Sequence, residues 1–313
     1  MALASSLNGW SFHPYPAFAP TLYPNTAFWN ATNPSKNVTY QIQLSWPFSW
    51  SSSPNTTASN KTALTMYVLD GNAYGTTAAE AVKRRPPPAP TQPDHLVVSI
   101  GYPLTDAVYA ITQRGIDFSP PLPTPGPTSG ADDFLTFISG TLRPWVRKRV
   151  FPSVKFKRDA LYGHSFGGLF VVYSLISRPD AFDTFLAASP SLWWNRGIIL
   201  DEVSNRLGSL ATPPGLSTPA ANHSRPAVMI TYGDLEQFPV RRRKETEAEF
   251  QARKGRIMTR FNASMTVQCH DLYDRIKGSG KVRDVILKEY AGQEHNSVAA
   301  SAITDGLEYF VDW

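Results

Sequence analysis

The stretch Leu161-Tyr162-Gly163-His164-Ser165-Phe166-Gly167-Gly168 fits the pattern Gly-x-Ser-x-Gly. An apolar, strand-like run precedes it, and an amphipathic helical pattern (Leu169, Val172, Leu175, Ile176) follows. A serine between two such elements sits on a sharp turn at positive φ, and the strain lifts its Oγ above the strand end. Gly163 and Gly167 stand where a Cβ would collide with neighbouring backbone. The helix start that follows offers N–H groups to a developing oxyanion. The chemistry this predicts is nucleophilic attack by Ser165. The alternative for so short a motif is a glycine-rich strand–helix turn without catalysis.

A serine hydroxyl needs a general base. Where a nucleophile elbow is used, the chain order is serine, acid, histidine. The chain has 6 histidines. His13 and His95 precede the serine and His164 adjoins it. His223 lies in a Pro-rich loop, and His270 sits in Val267–Ile276, which reads as helix. His295 is left. It follows the strand-like run Val285–Tyr290 through Ala291-Gly292-Gln293-Glu294 and precedes a terminal helical pattern.

The acid is expected after the preceding strand. There, Met229-Ile230-Thr231-Tyr232-Gly233-Asp234-Leu235-Glu236 offers two carboxylates. Its task is to fix the imidazole tautomer and stabilise the imidazolium. Glu236, three positions past the glycine, is favoured. Asp234 stays open, as does a Ser–His dyad in which Asp234 only caps a turn.

One oxyanion donor is expected at the Phe166 N–H, directly after the nucleophile. The second is placed at the Asn72 backbone, in the turn that ends Met66-Tyr67-Val68-Leu69-Asp70-Gly71-Asn72, with Gly71 keeping the approach open. A plain Asp-Gly chain reversal is the competing reading.

These residues must be positioned by strands and helices in alternation. Strands are expected at Thr39–Ser45, Leu64–Leu69, Leu96–Ile100, Ala160–Tyr162, Thr184–Ala188, Val228–Thr231 and Val285–Tyr290. Helices are expected at Ala78–Arg84, Ala131–Val150, Gly167–Ser177, Arg241–Arg260 and Ser297–Val311. Such alternation predicts an α/β fold, a mostly parallel central sheet with helices on both faces, whose chemistry sits beyond the strand carboxyl ends. Pro/Ser/Thr-rich stretches at Ser51–Thr62, Pro86–Pro93, Ser119–Gly130 and Thr212–Pro226 read as loop insertions in a single domain spanning 1–313.

Composition narrows the function classes. A chain of 313 residues with 18% charged residues can bury a core of its own. One cysteine, Cys269, excludes an internal disulfide framework, a zinc ribbon and a CxxC redox site. The net charge of +5 is mild, and no basic stripe is interleaved with aromatics, so no nucleic-acid partner is expected. No apolar run reaches the length of a membrane span, and the N-terminus lacks the features of a secretory signal. The expected location is cytoplasmic. Neither a cofactor nor a protein-bound metal is expected, because the histidines and acids show no ligand spacing.

With these residues in view, the chain resembles the esterase-D type α/β-hydrolases, and within them the intracellular ferric-siderophore esterases. The resemblance is carried by Leu69-Asp70-Gly71-Asn72-Ala73, Ile100-Gly101-Tyr102-Pro103, Arg114-Gly115-Ile116-Asp117 and Gly163–Gly168, followed by Ala188-Ser189-Pro190-Ser191-Leu192-Trp193-Trp194. It implies an α/β-hydrolase that cleaves the ester bonds of a siderophore, with any iron arriving inside the substrate. The Pro-rich insertions fit the fungal branch, whose substrates are fusarinine-type hydroxamates such as triacetylfusarinine C. The bacterial branch takes trilactone catecholates such as enterobactin or bacillibactin.

The resemblance also implies substrate-binding residues. Arg114 matches a position associated with the ligand, where it would hold negative oxygens; a local ion pair with Asp117 is the alternative. Trp193 and Trp194 would wall the substrate cavity, or pack in the core. The run Arg241-Arg242-Arg243-Lys244 reads as the solvated face of a charged helix, or else as an edge of the substrate mouth. Competing functions are a general carboxylesterase or thioesterase, an acyltransferase, and a ligand-binding homologue without catalysis.

Overall fold

In a computed structural model of the chain, ten strands run through the described residues: β1 (Ser5–Leu7), β2 (Trp10–Pro14), β3 (Thr26–Asn33), β4 (Val38–Ser45), β5 (Thr62–Leu69), β6 (Asp94–Gly101), β7 (Lys155–His164), β8 (Thr184–Ala188), β9 (Ala227–Gly233) and β10 (Asp284–Tyr290). The structure describes residues 5–14, 23–50, 52–54, 61–85, 92–104, 106–121, 129–209, 225–260 and 264–312. The Pro-rich stretches named above lie mostly outside these, and His223 lies wholly outside. The chain divides into two compact units, Met1–Leu161 with Phe310–Trp313, and Tyr162–Tyr309.

The first unit begins as an antiparallel meander, β1 to β4, which the sequence reading anticipated only at β4. Asn8 and Gly9, at φ 52° and 78°, form the two-residue turn between β1 and β2. An Asn-Gly pair suits such a turn because its backbone twist matches that of the strands. β4 pairs antiparallel with β6, and β5 pairs parallel with β6 through the crossover helix Gly71–Arg84.

The meander is short, but large rings bury it. Phe12 stacks on Trp145 at 4.1 Å between ring centroids, and Trp29 meets the same indole edge-on at 5.3 Å. The Trp145 N–H donates to Ser5 Oγ at 2.7 Å, so the deepest indole keeps a hydrogen bond.

The helix expected over Ala131–Val150 is a continuous helical path with wide π turns at Phe137–Leu142 and Val146–Val150. Pro144 lies between them and has no N–H for the carbonyl four residues back. That carbonyl belongs to Gly140, and it accepts instead from Asn8 Nδ2 at 3.0 Å.

In the second unit, β8, β9 and β10 are successive parallel neighbours, as βαβ crossovers require. The helix Phe166–Ser177 is buried along nearly its whole length, which explains its lack of a polar face. The helix expected from Arg241 begins only at Glu247. The cause is local: Thr246 Oγ1 accepts from the Glu249 N–H at 3.3 Å, and Glu249 Oε2 accepts from the Thr246 N–H at 2.8 Å. This reciprocal cap fixes the start and leaves Arg241–Lys244 in an exposed turn before it. Among the described residues, no helix is long and apolar enough to cross a membrane.

Candidate active site

Strand β7 delivers its last residue, His164, to a turn in which Ser165 has φ 60° and ψ −118°. This is strained backbone for a residue with a Cβ. It is held by its neighbours: the Ser165 N–H donates to the Ala188 carbonyl at 3.0 Å, and the Ser165 carbonyl accepts from Leu169 and Ser191 N–H, both at 3.0 Å. Gly163 permits the turn, since a Cβ there would lie 2.3 Å from the Gly167 carbonyl oxygen. Phe166 opens the helix, so its N–H lies ahead of the intrahelical ladder, where an anion can be met.

His295 is the first residue of the helix His295–Val311. Its Nδ1 is 2.5 Å from Glu236 Oε2, and this hydrogen bond makes Nδ1 the protonated nitrogen, leaving proton exchange to Nε2. Glu236 is buried, and its other oxygen accepts from Ser189 Oγ at 2.6 Å and from the Gly233 N–H at 2.8 Å. The carboxylate is thus fully engaged, as a buried charge must be. Asp234 does something else: its Oδ1 accepts from the Gly292 N–H at 2.8 Å, pinning the loop that leads to His295. Of the two sequence candidates, Glu236 is the one that touches the imidazole.

Three residues that the sequence reading did not cast in the site are also there. The His164 ring lies 4.5 Å from the His295 ring, and its Nε2–H donates to the His295 carbonyl at 2.7 Å. Ser189 holds the acid, and Ser191 Oγ lies 3.3 Å from Ser165 Oγ. Their signal was the Ser-Pro-Ser stretch straight after a strand end, where such folds place chemistry.

Of the two tryptophans, Trp194 is the more buried, at 7% exposed. Trp193 is half-buried and meets Phe166 edge-on at 5.8 Å, beside the elbow.

In the first unit, Asp70 turns the chain at φ 52° into Gly71 and Asn72. Arg114 pairs with Asp70. Its Nε and Nη2 form a fork onto Asp70, both at 2.8 Å, because the buried Asp70 carboxylate demands a countercharge. Burial pushes the Asp70 carboxyl up, against the hydrogen bonds and charge of Arg114. Asn72 is the second residue of its helix, so its N–H also precedes the intrahelical ladder, and its side chain exchanges hydrogen bonds with the Tyr102 backbone at 2.7 and 2.8 Å. Gly71 serves packing: a Cβ there would lie 3.0 Å from the Ile100 backbone. Among the described residues, no group of three His, Cys, Asp or Glu is placed to hold a metal ion.

A strained serine after a strand, and a buried carboxylate on a histidine that opens the last helix, are what a serine hydrolase requires. The model of the family described as "Putative esterase" matches residues 53–282. The chain belongs to this esterase family.

Relatives extend over nearly the whole esterase. The siderophore enterobactin esterase of Emericella nidulans is 37% identical over 312 residues, covering 96% of this chain and 97% of that one. The siderophore triacetylfusarinine C esterase of Aspergillus fumigatus is 35% identical over 297 residues, covering 94% and 96%. The solved structure of the siderophore hydrolase EstB from Aspergillus nidulans superposes with a TM-score of 0.82 at 37% identity, covering 96% of this chain and 98% of that one. The esterase therefore has the α/β-hydrolase fold, with its mostly parallel central sheet.

Proposed function

We propose that this esterase cleaves the ester bonds of a siderophore through Ser165, His295 and Glu236. The observation that carries the reading is the Glu236–His295 hydrogen bond in the same unit as the strained Ser165. The fungal relatives supply the substrate class.

In the first half-reaction, His295 Nε2 takes the Ser165 proton and Oγ attacks the ester carbonyl. Glu236 holds the imidazolium that results, and the alcohol leaves with its proton. Water activated by His295 then releases the acid. The oxyanion is assigned to the Phe166 N–H, and to the Asn72 N–H on the sequence argument. Removing one such donor costs on the order of a hundredfold in turnover. Arg114 serves by clamping the Asp70–Asn72 turn, and Trp193 by offering a rigid wall beside the elbow. The site of action we assign is the cytoplasm.

The substrate named first is a ferric fusarinine-type hydroxamate such as triacetylfusarinine C. An enterobactin-type trilactone is the second reading, favoured by the relative of that name. The test is fluorophosphonate labelling of Ser165, read by peptide mass, with and without each ferric siderophore. Protection by a siderophore is expected. Folded protein that takes no label would be a binder, and labelling that no siderophore slows would indicate a general carboxylesterase.

A further inference from the structure

One buried hydroxyl beside the nucleophile has no part in the mechanism above. Ser191 is wholly buried, and its Oγ lies 3.3 Å from Ser165 Oγ. Its N–H donates to the Ser165 carbonyl at 3.0 Å, so backbone and side chain both tie it to the elbow. Two residues earlier, Ser189 has φ 40° and gives its hydroxyl proton to Glu236. Its N–H donates to the Thr231 carbonyl at 2.7 Å. The segment Ser189-Pro190-Ser191 thus touches the acid with its first hydroxyl and the nucleophile with its last.

We infer that Ser191 is a further catalytic residue, whose O–H donates to Ser165 Oγ whenever that oxygen carries negative charge. The inference rests on Ser165 being the nucleophile. Proton accounting sets the direction. Ser165 has one hydroxyl proton, and it goes to His295 Nε2, so the proton between the two Oγ atoms belongs to Ser191. In acylation the Ser165 O–H bond breaks, the Oγ–C bond forms, and the departing alcohol takes the proton from His295. In deacylation water gives His295 a proton and bonds the acyl carbon, the C–Oγ bond breaks, and Oγ recovers a proton from His295. Oγ is partly anionic on the way into the first step and on the way out of the second. The Ser191 proton stays on its own oxygen throughout.

The resting distance supports this division of labour. At 3.3 Å the contact is longer than the usual O–H···O separation of about 2.7–2.8 Å. A hydrogen bond that is slack at rest and tightens as charge grows lowers the barrier without tightening substrate binding.

The experiment is steady-state hydrolysis of a nitrophenyl ester, with the rate of fluorophosphonate labelling, for the wild type, Ser191→Ala, Ser191→Cys and Ser165→Ala. Ser191→Ala is expected to lower kcat about ten- to a hundredfold, the range for one hydrogen bond to a charged group, and to slow labelling similarly. KM should stay within about twofold. Ser191→Cys keeps the volume but offers only a weak donor, so it should lose a comparable factor. Wild-type kcat in Ser191→Ala would overturn the inference. So would full activity in Ser191→Cys, which would reduce Ser191 to space-filling. Should Ser191→Ala fail to fold, the Cys variant decides alone. Turnover by Ser165→Ala would instead remove the nucleophile assignment itself.

Discussion

Glu236 and His295 are joined by a hydrogen bond of 2.5 Å between Oε2 and Nδ1, and the second carboxylate oxygen is held by Ser189 and the Gly233 N–H. The carboxylate therefore has one orientation, and so does the imidazole. Glu236→Gln would present an amide that can donate to Nδ1 and favour the wrong tautomer. A drop in kcat of about 10³–10⁴ is expected, with the fold intact. Asp234→Asn keeps an acceptor for the Gly292 N–H and should cost less than about tenfold. The two kcat values, measured on one ester, check the assignment. Equal losses would contradict it.

The Asp70–Arg114 fork is the next test. Arg114→Gln strands a carboxylate that is 1% exposed, and breaking such a pair costs about 3–5 kcal/mol. Urea unfolding at pH 7 should show the loss. It should shrink as the pH is lowered, because the carboxyl, already pushed up by burial, then takes a proton more readily. A loss that does not vary with pH would contradict this account.

Asp117 gives a pH dependence of its own. Burial pushes its carboxyl from 3.8 to about 6, despite hydrogen bonds from Gln113 and Tyr102. The native state thus holds a proton that the unfolded chain has already released. The contribution to stability is present below about pH 4 and is lost as pH rises through about 6. The difference amounts to about 3 kcal/mol. Unfolding free energies of wild type and Asp117→Asn, compared at pH 4 and pH 8, should diverge by that order, with the wild type relatively weaker at pH 8. A constant difference would refute it.

Cys269 is wholly buried, and burial, with the charge of Glu236 adding to it, pushes its thiol well above the ordinary range. A thiol reagent should label it only at the rate of unfolding, since the thiolate is the reactive form. Rapid labelling of native protein would contradict the packing described.

Most of the site was legible because its residues sit at strand ends and obey a chain order. The elbow required Gly163, the order required a late histidine, and only His295 followed a strand. Glu236 could be ranked above Asp234 by reach, but only the fold shows that Asp234 is occupied by Gly292. The roles of Ser189 and Ser191 depend on side chains converging from separate strand ends, which spacing does not encode. The Asp70–Arg114 pair could not be read from local spacing, because the two residues are 44 apart in sequence. The first three strands were missed although Asn8-Gly9 marks a hairpin, since their apolar runs are short and stabilised by distant rings such as Trp145. The helix start at Glu247 was written in Thr246 and Glu249, and the charged run before it obscured the signal.

The most direct measurement is hydrolysis of ferric triacetylfusarinine C and ferric enterobactin by the wild type and by Ser165→Ala, with products read by mass spectrometry. The account predicts that the wild type releases hydrolysed fragments of at least one siderophore, triacetylfusarinine C foremost, and that Ser165→Ala releases none. Intact siderophores after incubation with wild-type protein that still cleaves a nitrophenyl ester would contradict the proposed substrate. Equal cleavage by Ser165→Ala would contradict the proposed nucleophile.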